Sequence, residues 1–206
     1  MRHRLPFIAL LVLLLPLIGF APPPAGAQEG DVPMFRGNVA RTGEMPGPGP
    51  KGDPVENWRF ATGGEETSSP VVLDGFVYVG SQLNDFYALD AANGAELWRT
   101  EGGMYASSSP AVANGFVYVA CSDPENWAIE TLGYSLCALD AVTGEELWRF
   151  AANAWVTSSP AVVGGAVYVG SHDQHLYAID AATGQERWTF GTGDEAASLP
   201  AATTEG

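Results

Sequence analysis

The chain has 206 residues, of which 46% are hydrophobic and 16% are charged, and its formal net charge at pH 7 is −15. Such an excess of acidic groups repels the phosphates of nucleic acids and anionic lipid headgroups, so binding to either is disfavoured. Much of the charge can serve solubility alone.

The N-terminus has the form of a signal peptide. Residues 1–4 are basic, residues 5–20 are apolar, and Ala25-Gly-Ala27 fits a cleavage site. An uncleaved membrane anchor usually needs about 20 apolar residues, and this run is shorter and interrupted by Pro16. We expect an extracytoplasmic protein, periplasmic or secreted, cleaved after Ala27. Because no cysteine lies at the cleavage site, the mature chain should carry no lipid or membrane anchor.

Residues 28–57 precede the first repeated unit. Residues 34–43 form a lead-in segment, and residues 45–50 are a methionine followed by alternating proline and glycine. Such a composition gives a stiff linker without regular secondary structure. We therefore place a domain boundary near residue 57.

An eleven-residue pattern, A-x-D-x-x-[TN]-G-x-E-x-W, occurs three times, at residues 88–98, 138–148 and 178–188. Each copy follows a Ser-Ser-Pro sequence, a glycine turn and a Val-Tyr-Val run. Trp58 and the three tryptophans of the pattern are separated by 40, 50 and 40 residues. A period near 40 residues with several short apolar runs per unit is typical of β-propeller blades.

Each unit divides into four short strands. An inner strand follows Ser-Ser-Pro, a strand that is apolar on both faces follows the glycine turn, and a third strand leads into the Asp-to-Gly turn before the outer strand. The sequence predicts an all-β propeller of four-stranded antiparallel blades, with no helix beyond the signal peptide. The units are residues 58–98, 99–148 and 149–188, with the start of a fourth at 189–206, which gives about three blades in an incomplete ring.

Residues that recur in every unit are most simply architectural, because one active site does not need three copies. The aspartates are assigned to turns and the tryptophans to packing between blades. The structural motif positions are Ala88, Asp90, Gly94, Trp98, Ala138, Asp140, Gly144, Trp148, Ala178, Asp180, Gly184 and Trp188.

The repeat lacks the Gly-His and Trp-Asp signatures of WD40 units. Over residues 58–206 it resembles the tryptophan-docking motif of the pyrroloquinoline-quinone (PQQ) enzyme family, and the lead-in is similar to the segment that opens many secreted members. Rings in that family have about seven or eight blades. The resemblance therefore implies that this chain is a partial propeller, an open arc whose exposed blade faces favour self-association.

The second unit is about ten residues longer than the others because of an insertion between its second and third strands. That connection should lie on the same face as the blade-to-blade loops, where binding residues are common, although a tolerated surface insertion is the alternative. Trp127 and Tyr134 of the insertion and Tyr105 of a blade-to-blade loop are the candidate interaction residues. Cys121 and Cys137 flank the insertion on strands that should pair. In an exported chain we expect them to form a disulfide.

Trp155 breaks the repeat on the same face. It could stack on a flat ligand, as in PQQ enzymes, which makes it the candidate cofactor-binding residue, or it could fill the mouth of the channel. His172 and His175 are three residues apart in a hairpin, a spacing that strand geometry does not bring to one metal. They are interpreted as a polar hairpin tip.

The resemblance implies two functions. One is a dehydrogenase with PQQ, calcium and an aspartate base; the other is a non-catalytic scaffold, as in the subunit of the outer-membrane assembly machinery. The adjacent Cys-Cys pair of many such dehydrogenases is absent, and no catalytic residue, calcium ligand or other metal ligand maps by motif. We therefore favour a non-catalytic scaffold that binds a protein partner or ligand through its loops. A fragment of a PQQ- and calcium-dependent alcohol or sugar dehydrogenase is the alternative.

Overall fold

The computed structural model describes residues 32–38, 40–43, 52–53, 55–64, 68–81, 85–100, 108–122, 134–196 and 200, with Ser122 and Tyr134 described in their backbone only. Strands are the regular elements of this part of the chain. They are β1 (Val71–Leu73), β2 (Phe76–Gly80), β3 (Phe86–Asp90), β4 (Glu96–Thr100), β5 (Ala111–Ala113), β6 (Phe116–Ser122), β7 (Tyr134–Asp140), β8 (Glu146–Ala151), β9 (Ala161–Val163), β10 (Ala166–Ser171), β11 (His175–Asp180) and β12 (Glu186–Gly191). A search of the described residues for a long apolar helix that could cross a membrane finds none.

The strands form three antiparallel sheets in chain order, β1 to β4, β5 to β8 and β9 to β12, which we call blades 1, 2 and 3. Each blade is a meander in which every strand pairs with its neighbour in sequence. The inner strand β1 contacts β5, and β5 contacts β9, but β1 does not reach β9. The prediction of a partial propeller of four-stranded blades is therefore confirmed.

The repeated aspartate and glycine shape the turn between the third and fourth strands of each blade. The carboxylate of Asp90 accepts hydrogen bonds from the backbone N–H groups of Ala92, at 2.8 Å, and Asn93, at 3.2 Å. Gly94 then adopts a φ of 72°, which costs glycine little because it has no Cβ. Asp140 and Asp180 cap the corresponding turns in the same way.

Each repeated tryptophan of blades 1 and 2 lies against the next blade. Trp98 Nε1 donates to the carbonyl of Ala141 at 3.1 Å, and Trp148 Nε1 donates to the carbonyl of Ala181 at 3.2 Å. A Cβ added at Gly144 would lie 2.6 Å from the Trp98 ring. The glycine of the pattern is thus required twice, for its backbone conformation and for the space that the indole occupies.

The two serines before each inner strand have different tasks. Within blade 3, Ser158 Oγ donates to the carbonyl of Gly170 at 3.0 Å and accepts from its N–H at 2.8 Å. Between blades, Ser109 Oγ accepts from the N–H of Ser69 at 3.0 Å, and Ser159 Oγ accepts from the N–H of Ser109 at 2.9 Å. The first serine therefore closes its own blade, and the second binds the blade before it.

The lead-in packs along the inner strands. Val32 pairs with Val72 of β1, and Met34 pairs with Ala111 of β5. Met34 is buried in the core shared by blades 2 and 3. Farther along, Arg41 Nη2 donates to the carbonyls of Ser159, at 2.8 Å, and Pro160, at 3.0 Å, just before β9. One short segment thus touches all three blades.

Candidate functional site on the loop face

The two ends of blade 3, where its strands reverse direction, carry different kinds of connection. One end holds the two tight turns, joined by the hydrogen bond from the N–H of Ala181 to the carbonyl of Gly165. The other holds the hairpin 172–174 and the blade-to-blade connections 152–157 and 192–196, which we call the loop face. There the N–H of His172 donates to the carbonyl of Trp155 at 2.9 Å. The hairpin and the incoming connection are therefore fixed to each other.

Trp155 lies on the surface of the loop face. Its side chain is 44% exposed, while the next residue, Val156, is fully buried. The indole lies beside the His172 ring, with centroids 5.9 Å apart and the planes tilted by 53°. A large aromatic side chain is thus presented to solvent on a backbone that its neighbour anchors in the core.

His172 connects three segments of the loop face. Its Nε2 lies 2.9 Å from Thr157 Oγ1 on the connection that enters blade 3. Its Nδ1 lies 3.1 Å from a carboxylate oxygen of Glu195 on the connection that leaves the blade. The sequence suggested only a polar hairpin tip, and the positioning role was missed because both contacts lie at a distance in sequence.

Asp173 is a mostly buried residue of the hairpin turn, and its carboxylate accepts several hydrogen bonds. Its Oδ2 accepts from the Tyr177 hydroxyl at 2.7 Å and from the N–H of Asn153 at 3.1 Å, and its side chain is only 9% exposed. Burial, followed by the hydrogen bond to Asp173, raises the pKa of Tyr177 above its ordinary value. The phenol therefore stays a hydrogen-bond donor at neutral pH. Sequence reasoning missed Asp173 as well, since the motif gave no signal beyond a polar hairpin.

The two histidines of this hairpin face different partners. His175 Nδ1 lies 2.8 Å from the carbonyl of Asp173, whereas His172 faces Thr157 and Glu195. Within the ranges that the structure describes, no group of three or more His, Cys, Asp or Glu side chains is arranged to hold a metal ion. Calcium takes about six to eight oxygen ligands, and the described part of the chain brings no three carboxylates together that could serve among them.

The predicted disulfide between Cys121 and Cys137 is confirmed, with Cα atoms 5.8 Å apart. Cys121 lies opposite Ser135 in the register of β6 and β7, so the bond crosses the hairpin diagonally. Both cysteines are fully buried in the core between blades 1 and 2, at the base of the insertion. Trp127 and Tyr105 lie outside the described residues, and only the backbone of Tyr134, the first residue of β7, is described.

Two family profiles match the chain. The profile of the β-propeller domain of glucose, ethanol and alcohol dehydrogenases covers residues 51–158, more than half of the chain. The profile of the outer membrane protein assembly factor BamB covers residues 125–205. No curated protein matches the chain.

Solved structures show the same fold at low sequence identity. BamB from Moraxella catarrhalis has a TM-score of 0.54 and 22% identity, over 66% of this chain and 39% of that one. Quinohemoprotein alcohol dehydrogenase ADHIIG from Pseudomonas putida HK5 has a TM-score of 0.61 and 23% identity, over 80% of this chain and 27% of that one. The computationally designed Ika4 protein has a TM-score of 0.60 and 17% identity, over 73% of this chain and 89% of that one.

This chain therefore spans well under half the length of the two natural proteins, whose activities and partners do not transfer with the fold. Three features agree on the family: the tandem eleven-residue repeat, the four-stranded blades, and the dehydrogenase propeller profile that covers more than half of the sequence. The chain belongs to the family of PQQ-like repeat β-propellers.

Proposed function

We propose that the chain is part of an exported, non-catalytic propeller that binds a protein partner through its loop face. The observation that carries this proposal is Trp155, which is 44% exposed beside His172 on a connection anchored by buried Val156. Exposed tryptophans held in a fixed position dominate the binding energy of many protein interfaces, because they bury a large area at little entropic cost.

The surroundings of Trp155 suit binding. His172 is held between Thr157 and Glu195, so the surface beside the indole has few ways to rearrange. A partner that docks there loses less conformational freedom than it would on a mobile loop. The surface combines an aromatic ring with imidazole and carboxylate groups, which suits a partner that offers an apolar side chain flanked by hydrogen-bond donors or a positive charge.

Export is part of the same proposal. The buried disulfide between Cys121 and Cys137 is typical of an oxidising compartment. The N-terminal residues 1–27 have the composition of a signal peptide, and they lie outside the described residues. N-terminal sequencing of the exported protein should begin at Gln28, and a sequence that begins at Met1 would contradict the proposal.

Site-specific photo-crosslinking tests the interaction. A photoreactive phenylalanine at Trp155 should give a discrete adduct with one partner in the exporting cell. The matched control places the photoreactive phenylalanine at Val142. This position is also exposed, but it lies in a tight turn of blade 2, away from the loop face. Equal labelling from both positions, or no adduct from Trp155 in protein that is exported and folded, would refute partner binding by the loop face.

A second candidate is a fragment of a PQQ- and calcium-dependent alcohol or sugar dehydrogenase. It is favoured by the dehydrogenase propeller profile over residues 51–158. Purified protein mixed with PQQ and Ca²⁺ separates the two functions. A bound-quinone absorbance with dye-linked alcohol oxidation that Trp155→Ala abolishes would establish the dehydrogenase, whereas a scaffold should show neither signal.

A further inference from the structure

The outward face of blade 3 carries half of a blade-to-blade joint. Trp188 is 45% exposed and Phe190 is 62% exposed, whereas the equivalent Trp98 and Trp148 lie against the next blade. The Tyr168 ring lies 5.8 Å from Trp188, the same separation as between Tyr118 and Trp148 in the covered joint. The aromatic side chains of the joint are thus already in place on blade 3.

The covered joints define what such a face accepts. The receiving blade offers an alanine carbonyl to the indole N–H and a glycine against the indole ring, as Ala181 and Gly184 do for Trp148. In the joint between blades 2 and 3, the receiving blade also offers a tyrosine on its third strand to the phenylalanine that follows two residues after the tryptophan. Phe150 meets Tyr177 in this way, edge to face, with centroids 5.1 Å apart.

Blade 1 presents the complete receiving set, which consists of the Ala91 carbonyl, Gly94 and Tyr87. Trp58 now occupies it, with its Nε1 3.0 Å from the Ala91 carbonyl, and Phe60 lies edge to face on Tyr87 at 5.3 Å. Both belong to residues 55–62, a segment without regular secondary structure that is not paired into any of the twelve strands. A single unpaired segment therefore covers the receptor that a whole blade covers elsewhere.

The other two blades are unavailable or unsuitable as receptors. Blade 3 is already covered by Trp148 and Phe150 of blade 2. Blade 2 has Cys137 where blades 1 and 3 have a tyrosine, and that cysteine is held in the disulfide. Blade 1 is thus the one receptor on the three described blades that has the right chemistry and a displaceable cover.

We propose that blade 3 of one molecule docks on blade 1 of a second copy, with Trp188 and Phe190 taking the places of Trp58 and Phe60. The contact is head to tail, so it builds a ring or an open chain of copies and not a symmetric pair. The segment around Trp58 competes with the incoming blade for the same receptor. Because that competitor is tethered to its receptor, docking between copies requires high protein concentration.

The competition makes two variants of this chain act in opposite directions. Trp188→Ala with Phe190→Ala removes the docking face and should weaken the association constant by about tenfold or more. Trp58→Ala with Phe60→Ala uncovers the receptor and should strengthen it. Leu147→Ser is the matched control, since Leu147 is an exposed apolar side chain of blade 2 that takes no part in the joint; it should leave association unchanged.

Sedimentation velocity over a wide range of protein concentration measures all four proteins, and near-UV circular dichroism checks that each is folded. The proposal is overturned if the wild type stays monomeric at every concentration, as it would if only a further blade of the same polypeptide fitted this face. It is also overturned if the Trp188/Phe190 variant associates like the wild type. If the Trp58/Phe60 variant does not fold, the Trp188/Phe190 and Leu147 comparison still decides. Loop-face binding through Trp155 is unaffected by either result.

Discussion

The hairpins of blades 2 and 3 carry different bonds at equivalent positions of their third strands. In blade 3 the Tyr177 hydroxyl donates to Asp173 across a tight turn, and in blade 1 the Tyr87 hydroxyl donates to Asp85 at 3.1 Å. In blade 2 the position of the tyrosine belongs to Cys137, which is bonded to Cys121. In blades 1 and 3 the tyrosine bonds to an aspartate two or four residues before it in the sequence, so the hydrogen bond fixes the start of one strand. In blade 2 the covalent bond instead joins the two strands that flank the insertion.

The largest expected effect is loss of the covalent bond. The Cys121→Ser and Cys137→Ser double variant should lower the free energy of unfolding by about 3 kcal/mol, because the unfolded chain regains the entropy of a loop of this size. Urea unfolding of both proteins measures the difference. Reductant should destabilise the wild type and leave the variant unchanged. Two free thiols in denatured, unreduced wild type would contradict the assignment.

In blade 3 we expect a smaller loss in the free energy of unfolding when the equivalent bond is removed. Tyr177→Phe removes the hydrogen bond to the buried carboxylate of Asp173, and hydrogen bonds to charged groups contribute about 2 kcal/mol. Asp173 keeps its bonds to the N–H groups of Asn153 and His175, so the hairpin should stay folded. Chemical denaturation measures the change. A loss as large as that of the disulfide variant would mean that the ring packing, and not the hydroxyl, has been disturbed.

In blade 1, loss of the tyrosine hydroxyl should lower the free energy of unfolding by less than in blade 3. The Tyr87 hydroxyl lies 3.1 Å from both Asp85 Oδ2 and the Thr62 carbonyl, longer than the 2.7 Å bond in blade 3. Tyr87→Phe should therefore cost about 1 kcal/mol. The same denaturation experiment ranks the three hairpins, and an order other than blade 2, blade 3, blade 1 would break the comparison.

Alkaline pH gives the finest test. The pKa of Tyr177 is raised, first by burial and then by Asp173, and burial raises the pKa of Tyr118 to about 12. A tyrosine with a raised pKa contributes stability that is complete below the unfolded-state value of about 10 and is lost as pH rises towards the folded-state value. The free energy of unfolding should thus fall above about pH 10, and less steeply in Tyr177→Phe. An unchanged slope would mean that Tyr177 titrates normally.

The fold was predictable because the same sequence pattern occurs in three successive units, each of which indicates a four-stranded blade. Trp98 and Trp148 occur at the same place in successive units, and the packing of one explains the other. Trp188 shows the limit of this reasoning, since the same motif leaves its indole exposed where no described blade follows. A motif specifies one side of a joint, and the other side decides whether the joint forms.

The candidate site was less predictable, because its contacts join positions that no pattern relates. His172 meets Thr157 and Glu195, and each of the three belongs to a different connection. The pairing of Val32 and Met34 with the inner strands was missed for the same reason, since it consists of isolated bridges without a repeated spacing. The disulfide was predictable because the strand pairing and the expected compartment both favoured it.

The contact of Arg41 with the carbonyls of Ser159 and Pro160 has a consequence for the order of folding. It joins Arg41 to residues that lie 118 and 119 positions later in the sequence, whereas every blade is a meander of neighbouring strands. Closing so long a loop costs more entropy than closing a hairpin, so local sheets should form first. Because synthesis starts at the N-terminus, the lead-in is made early and must wait for the third blade. A segment that is among the first to be made is then the last to reach its native place.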